Sequence, residues 1–504
     1  MKKRIIALLL AVLMILSMTA CGSKPDTTTD DNKASDAETT PETPAEDAAA
    51  EDPKEDAETT TADGEVEYTI QWFAGSSMIE NGDADFIREK FIAAYPQYDI
   101  NIVESDMDAS GTLTAIAGGE QIDCFWGDFY TILEGGAGGT FLPLNEYFEK
   151  DGVDFTDLYG EFCYNTSTID GQIYGVPQYY NTFKVFYNKT MADEKGITIP
   201  SEWTWDEFVE TAKKFEDPDN GVKYGAVMSI AWTQTWAAMA NNMGWYLTSV
   251  DDEGNVSVNL DDERLETVMQ AVYDLGAVDH AIPTYTEYSA ESINRRAELA
   301  NQRTGMIIDG PFTFVWLKNY MFNDPGEGNL PFEVGVAELP SFPGGENCSY
   351  ATNVGLWGIP KTCGNPEAAY RFIRFIENED PDCAALMSAY MSTYTKWEEQ
   401  GVDVSDINYA VFSNFTDIYG EKHTDIYSHE LVDALCTIPH EFCDVYWNFN
   451  PNLYASESAC QAVFDEQFST FMSGEVDFDT WVATVTPLME QRLADSGLDH
   501  INLD

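Results

Sequence analysis

The period of the apolar pattern changes twice between Tyr68 and Val103, and that change constrains the chain most. Tyr68-Thr-Ile-Gln-Trp-Phe73 alternates and runs into Ala74-Gly75-Ser76-Ser77, the signature of a strand ending in a loop. Ile87, Phe91, Ala94 and Tyr95 then recur at helical spacing, and Pro96 closes that helix. Asp99 to Val103 alternates again, with Ile100 and Ile102 on one face. A strand, a helix and a strand in this order begin a parallel sheet, because parallel neighbours need a long crossover. Leu113 to Ala117 reads as a second helix stopped by Gly118-Gly119, and Ile122 to Trp126 as a further strand. The alternation continues downstream. Thr204-Trp-Asp-Glu207 is a capping box ahead of an apolar stripe of Trp205, Phe208, Ala212 and Phe215. Asp251-Asp-Glu-Gly254 reads as a hairpin turn before a helix through Leu265, Val268 and Val272. Asn365-Pro366 opens another helix, with stripe Ala369, Phe372, Ile373 and Ile376. No fixed-period repeat interrupts this order, so the class is α/β.

The ends fix the address. Lys2, Lys3 and Arg4 precede an apolar run from Ile5 to Leu16, too short for the roughly 20 residues of a comfortable membrane span. Ser17 to Cys21 then resembles a bacterial lipobox, with Met18 where leucine is commonest. Residues 1–20 are read as a signal peptide and Cys21 as the lipidated residue, placing the protein on the outer face of the cytoplasmic membrane. Gly22 to Glu67 carries 16 acids and 3 bases and almost no large apolar side chain. Such a segment cannot offset the entropy of ordering and serves as an acidic tether, residues 21–67 with the lipidated Cys. The remaining 437 residues exceed one ordinary hydrophobic core, so two lobes are expected. Net charge is −62; without the tether and the signal peptide, −52 remains on the folded part. That field repels phosphates and excludes a nucleic-acid partner. It also disfavours an anionic ligand unless a local arginine overrides it, which points to a neutral solute. Eight cysteines besides Cys21 form no CxxC pair, and the five histidines show no metal-ligand cluster, so no metal or cofactor is expected.

Seven segments in sequence order resemble the extracellular solute-binding proteins that include maltose-binding protein. They are Gly118 to Trp126, Phe141 to Leu144, Asp170 to Pro177, Val185 to Lys189, Pro200 to Phe208, Thr304 to Pro311 and Glu333 to Pro340. Past Phe375 the resemblance fades, and Ser388 to Asn450 matches no family segment. The resemblance implies two α/β lobes of the type II periplasmic-binding arrangement, joined by hinge crossovers, with a small solute held in the cleft. It also implies a monomer that delivers its solute to a membrane-embedded ABC permease. Residues 68–180 plus 336–360 are assigned to the N-terminal lobe, and 181–335 plus 361–504 to the C-terminal lobe.

A pyranose presents apolar C–H faces and a rim of hydroxyls, so it needs aromatic platforms and fixed polar partners. Strand ends are where such groups reach a cleft. Trp72 and Phe73 end the first strand; Trp126 ends a later one, with Asp128 beyond it. Tyr179, Tyr180 and Asn181 follow Pro177 near the expected crossover, and Trp232 and Trp236 lie in an aromatic, polar stretch. Asp309 and Phe312 flank Gly310-Pro311, with Phe312 where the family pattern has tryptophan. Tyr350 and Asn353 precede a crossover strand. These thirteen residues are the candidate ligand contacts. Trp203, Trp205, Trp397 and Trp481 fall on helical patterns and are read as core.

Catalytic signals are incomplete. Gly135 to Phe141 fails as GxGxxG because Phe141 takes the last position. His429-Glu-Leu-Val-Asp433 lacks the second histidine of a zinc helix, Asp217 to Gly221 lacks the rest of a calcium loop, and no GxSxG occurs. A carbohydrate-binding, non-enzymatic protein is the leading expectation. A surface glycoside hydrolase or polysaccharide-binding lipoprotein is the alternative, and a polyamine, clasped by Asp128 or Asp309, is an alternative ligand.

Overall fold

The structure is a computed structural model that describes residues 66–75, 78–79, 82–105, 109–200, 202–322, 332–345, 351–387, 391–392, 394–417, 421–436 and 453–501. The elements that position the site are, in chain order, β1 (Tyr68–Ala74), α1 (Asp83–Ala94), β2 (Tyr98–Glu104), β3 (Phe125–Asp128), α2 (Phe129–Gly138), β4 (Val176–Thr182) and β5 (Lys184–Asn188). There follow α3 (Trp205–Phe215), β6 (Ala226–Met228), α4 (Gln234–Asn242), α5 (Arg295–Ala300), β7 (Met306–Asp309), α6 (Phe312–Phe322), β8 (Val334–Ala337), β9 (Ala351–Gly358), α7 (Pro366–Arg374) and β10 (Met391–Ser392). Two long helices, α8 (Tyr454–Met472) and α9 (Phe478–Ser496), end the chain. Among the described residues no helix is long and apolar enough to cross a membrane.

β1 and β2 pair in parallel, Ile70 opposite Ile100, as the pattern requires. β3 does not extend that pair. It joins a four-stranded antiparallel sheet of order β10-β4-β9-β3. A second four-stranded sheet has the order β8-β5-β7-β6, with β7 parallel to β6 and antiparallel to β5. All four residues of β7 and all three of β6 are buried, so up to Asp309 these strands read as apolar runs rather than alternations.

Local sequence explains the helices. The capping box ahead of α3 closes as expected: Thr204 N–H donates to Glu207 Oε2 at 2.8 Å, and Glu207 N–H to Thr204 Oγ1 at 3.3 Å. Asn365 caps α7 through the Ala368 N–H at 3.2 Å, and the stripe Ala369, Phe372 and Ile373 is buried.

The placement of α7 corrects the lobe boundaries. Phe372 packs edge-on against Trp72 and Phe91, both at 5.2 Å, and Trp397 lies in the same core. Residues 366–384, with Tyr394 and Trp397, therefore pack in the core of the first strands instead of joining the second sheet, because the apolar face of β1 and α1 needs a lid. The chain passes between the two four-stranded sheets twice, from Thr182 to Lys184 and from Ala337 to Ala351. It passes between cores a third time along the helix Val404–Ser413, where Ile407 packs in one core and Val411 and Phe412 in the other. Helices α8 and α9 then close over the second core, with Phe464 against Trp236 at 6.0 Å and Trp481 at 5.5 Å.

Candidate functional site

Because β6 and β7 run parallel, their carboxyl ends open on one edge of the second sheet. β6 leads through Ser229 to Trp232; β7 ends on Asp309 and turns at Gly310-Pro311 into α6, whose first residue is Phe312. Their rings meet there. Trp232 stacks on Phe312 (6.0 Å, 28°) and stands edge-on to Phe183 at 5.1 Å. Asn294, capping α5 through the Arg296 and Ala297 N–H groups, aims two guanidinium groups at this wall. Arg295 lies 5.6 Å over Trp232; Arg296 lies 4.4 Å over Phe312 and 5.5 Å over Trp316.

Asp309, fully buried, holds both arginines. It accepts from Arg295 Nη2, Arg296 Nε and Thr313 Oγ1, each at 2.6 Å. Beside them is a cavity of about 440 Å³ lined in part by Tyr288, Ser289, Ser292, Asn294 and the two arginines.

The first sheet contributes a second aromatic element. Gly355 of β9 lies opposite Tyr179 of β4 on one side and Asp128 of β3 on the other. A Cβ there would stand 2.4 Å from the Tyr179 ring, so this close approach requires glycine. Tyr179 is thereby buried against the sheet, with Trp126 tilted beside it at 6.3 Å and exposed to 42 %. Asp128 caps α2, accepting the Thr131 N–H at 2.8 Å.

Several sequence candidates are corrected. Trp72 is 1 % exposed and Trp236 is fully buried; Trp236 Nε1–H donates to Ile230 O at 3.0 Å. Both are core residues, since Trp72 shares the inward face with Ile70 and Ala74, and Trp236 lies on α4 rather than at a strand end. Asp309 faces inward and is spent on its arginines. With Asp128 engaged as a cap and Asp309 neutralised, the carboxylates invoked for a polyamine are both occupied, and that alternative is withdrawn. Phe73 is half-buried on the opposite face of β1 from Trp72.

Trp232, Phe312, Trp126 and Tyr179 form the two ring groups described above. Tyr180, Asn181 and Asn353 are placed by backbone alone, Asn353 opposite Asn181 and Val354 opposite Tyr180. Tyr350 and Cys21, with residues 22–65 of the tether, lie outside the described residues. Sequence reasoning missed Trp316, 48 % exposed, and both arginines. Trp316 stands four residues after Phe312 on α6, a helical spacing that could have found it.

The histidine reading is corrected too. Asp417, Glu421 and His423 bring ligand atoms within 4.8 Å of one another, with His423 Nε2 3.0 Å from Asp417 Oδ2. The antiparallel pairing of Phe415 with His423 gathers them. Cys124, Cys163, Cys363, Cys383, Cys436 and Cys460 are free thiols.

Three comparisons bear on this arrangement. An arabinooligosaccharide-binding protein of Halalkalibacterium halodurans is 31 % identical over 134 residues, covering 27 % of this chain and 28 % of that protein. The fold is similar to that of a sugar transporter from Rhizobium etli in an open conformation (TM-score 0.61, 21 % identity, 84 % of this chain and 99 % of that one). It is also similar to an ABC substrate-binding protein from Listeria monocytogenes in complex with cycloalternan (TM-score 0.60, 16 % identity, 85 % and 99 %). These likenesses give the two-lobed α/β fold, and residues 33–381 match the pattern of a whole family. The chain belongs to the bacterial extracellular solute-binding proteins.

Proposed function

We propose that this protein captures an oligosaccharide in the cleft between its lobes and delivers it to an ABC-type permease. In this reading a lipid on Cys21 and the acidic tether hold it at the outer face of the membrane. The observation that carries the saccharide reading is the pair of aromatic groups, one beyond the strand ends of the second sheet and one on the strands of the first. Trp232 and Phe312 stack at the carboxyl edge of the second sheet, and an exposed Trp126 stands on the first. Flat rings of this kind match the C–H faces of a pyranose, and nearby polar groups match its hydroxyls. Phe73, Tyr180, Asn181, Tyr350 and Asn353 are further contacts in this proposal. The saccharides named for the relatives from H. halodurans and L. monocytogenes support the ligand class. Closure of the lobes about the crossovers presents the loaded form to the permease.

A thermal-shift and calorimetric screen of mono- and oligosaccharides tests the reading, because a ligand of the native state raises apparent stability. At least one saccharide should bind, with no release of reducing ends. Trp232→Ala should weaken that binding by about 1–4 kcal/mol, the cost of truncating an aromatic anchor. A screen in which no saccharide binds overturns the proposal. Membrane fractionation of Cys21→Ala tests the anchor, and wild-type behaviour of that variant would refute it.

A further inference from the structure

We propose that the saccharide carries a carboxylate, a uronic acid unit, and that the cavity beside Arg295 and Arg296 receives it. This rests on the saccharide reading above and narrows it. The chain has 88 acids against 26 lysines and arginines, yet the cavity wall carries two arginines and no acid. Cation excess is a local departure from a strongly negative molecule. Counting charge sharpens the point. Arg295 and Arg296 share one carboxylate, that of Asp309, so the cluster keeps one positive charge while its arginine side chains are only 12 % and 17 % exposed. A cation this poorly solvated is costly until an anion meets it.

Guanidinium is the side chain suited to a planar carboxylate, because its donors form a fork of matching geometry.

The rest of the wall fits the remainder of the ligand. Tyr288, Ser289, Ser292 and Asn294 offer hydroxyl and amide groups for sugar hydroxyls. Ser292 holds a left-handed backbone (φ 49°), a conformation that costs a non-glycine residue about 1 kcal/mol or more and concentrates at ligand sites. The Trp232 ring lies under Arg295, so an aromatic platform adjoins the cationic wall. An acidic sugar can then be recognised against the molecule's own field, since the attraction acts at contact while the repulsion is screened beyond about 10 Å at moderate salt.

Calorimetry on the purified protein decides the matter. The probes are di- to tetrasaccharides of galacturonate, glucuronate and mannuronate, neutral galacto- and arabino-oligosaccharides of equal length, and a sugar phosphate. At least one uronate oligomer should bind ten-fold or more tightly than its neutral counterpart, with affinity falling several-fold as salt rises. Arg296→Gln should abolish that preference, and Arg296→Lys should restore part of it. Circular dichroism confirms that each variant is folded, and the wild-type salt series reads the charge of the ligand without any variant. Neutral oligomers binding as well as every uronate overturn the inference and leave the saccharide reading standing. A sugar phosphate binding above all uronates also overturns it. Failure of every saccharide overturns both.

Discussion

Glu377 gives the sharpest test of the packing, because its carboxyl is buried in the turn that follows α7, with 4 % exposure. Trp357 Nε1–H donates to its Oε1 at 2.7 Å. Arg374, one turn earlier, is engaged by Asn378 Oδ1 at 2.9 Å and the Tyr370 hydroxyl at 3.1 Å. Burial dominates and pushes the Glu377 carboxyl up to about 8 from its ordinary 4.5, against the opposing pull of the Trp357 and Gln178 donors. Below pH 4.5 folded and unfolded chains both hold this proton. Between 4.5 and 8 the unfolded chain has released it and the folded chain keeps it, so stability falls as pH rises. The slope is about 1.4 kcal/mol per pH unit, for a total on the order of 4–5 kcal/mol by pH 8, after which it levels off. Glu377→Gln keeps the shape and the acceptor for Trp357 but cannot titrate. Urea unfolding of both proteins at pH 5, 6, 7 and 8, followed by tryptophan fluorescence, isolates this one group, since the other acids cancel in the difference. The variant should gain on the wild type steadily, by several kcal/mol across the series. Parallel pH profiles would refute the argument and place an ionised carboxylate inside the fold.

Two further substitutions probe the framework of the site. Gly355→Ala puts a Cβ 2.4 Å from the Tyr179 ring, and overpacking of this kind should cost about 1–3 kcal/mol in urea unfolding and shift the fluorescence of Trp126. Asp309→Ala strands two guanidinium groups around an empty centre and should cost about 3–5 kcal/mol, the loss for breaking a buried ion pair; a loss below 1 kcal/mol would show that the arginines find other partners.

What the sequence revealed depended on whether the signal was local. The capping box at Thr204 and the stripe of α7 are contained within about ten residues and appeared as read. Trp232 was singled out only from an aromatic, polar stretch that also offered the buried Trp236, and Phe312 only through the family pattern. Trp72 was misplaced although its own strand held the answer. Ile70, Trp72 and Ala74 share one face by the two-residue period, and a face so apolar turns inward. Asp309 could not be placed, because its partners Arg295 and Arg296 lie 14 and 13 residues earlier on another element. The same holds for α7: its stripe says that one face is covered, not which sheet covers it. Only the ring of Phe372 against Trp72 settles that.

The two aromatic groups differ in how far they are fixed before any ligand arrives. Trp232 and Phe312 are stacked on each other, and each has a guanidinium over its ring. Trp126 has Tyr179 beside it and is still 42 % exposed. Rings fixed in advance lose little entropy on binding but gain little from further burial. An exposed ring has more to gain. An aromatic side chain buries 150–250 Å² in all, so covering the open part of Trp126 removes roughly 60–100 Å² from water, worth about 1.5–2.5 kcal/mol. On the proposed reading Trp126→Ala should therefore weaken saccharide binding about ten-fold or more while leaving stability nearly unchanged. Trp232→Ala should lower both, because its ring also supports Phe183, Phe312 and Arg295. Calorimetry and urea unfolding on the two variants separate these effects. Equal losses of stability, or an affinity untouched by Trp126→Ala, would remove Trp126 from the binding surface.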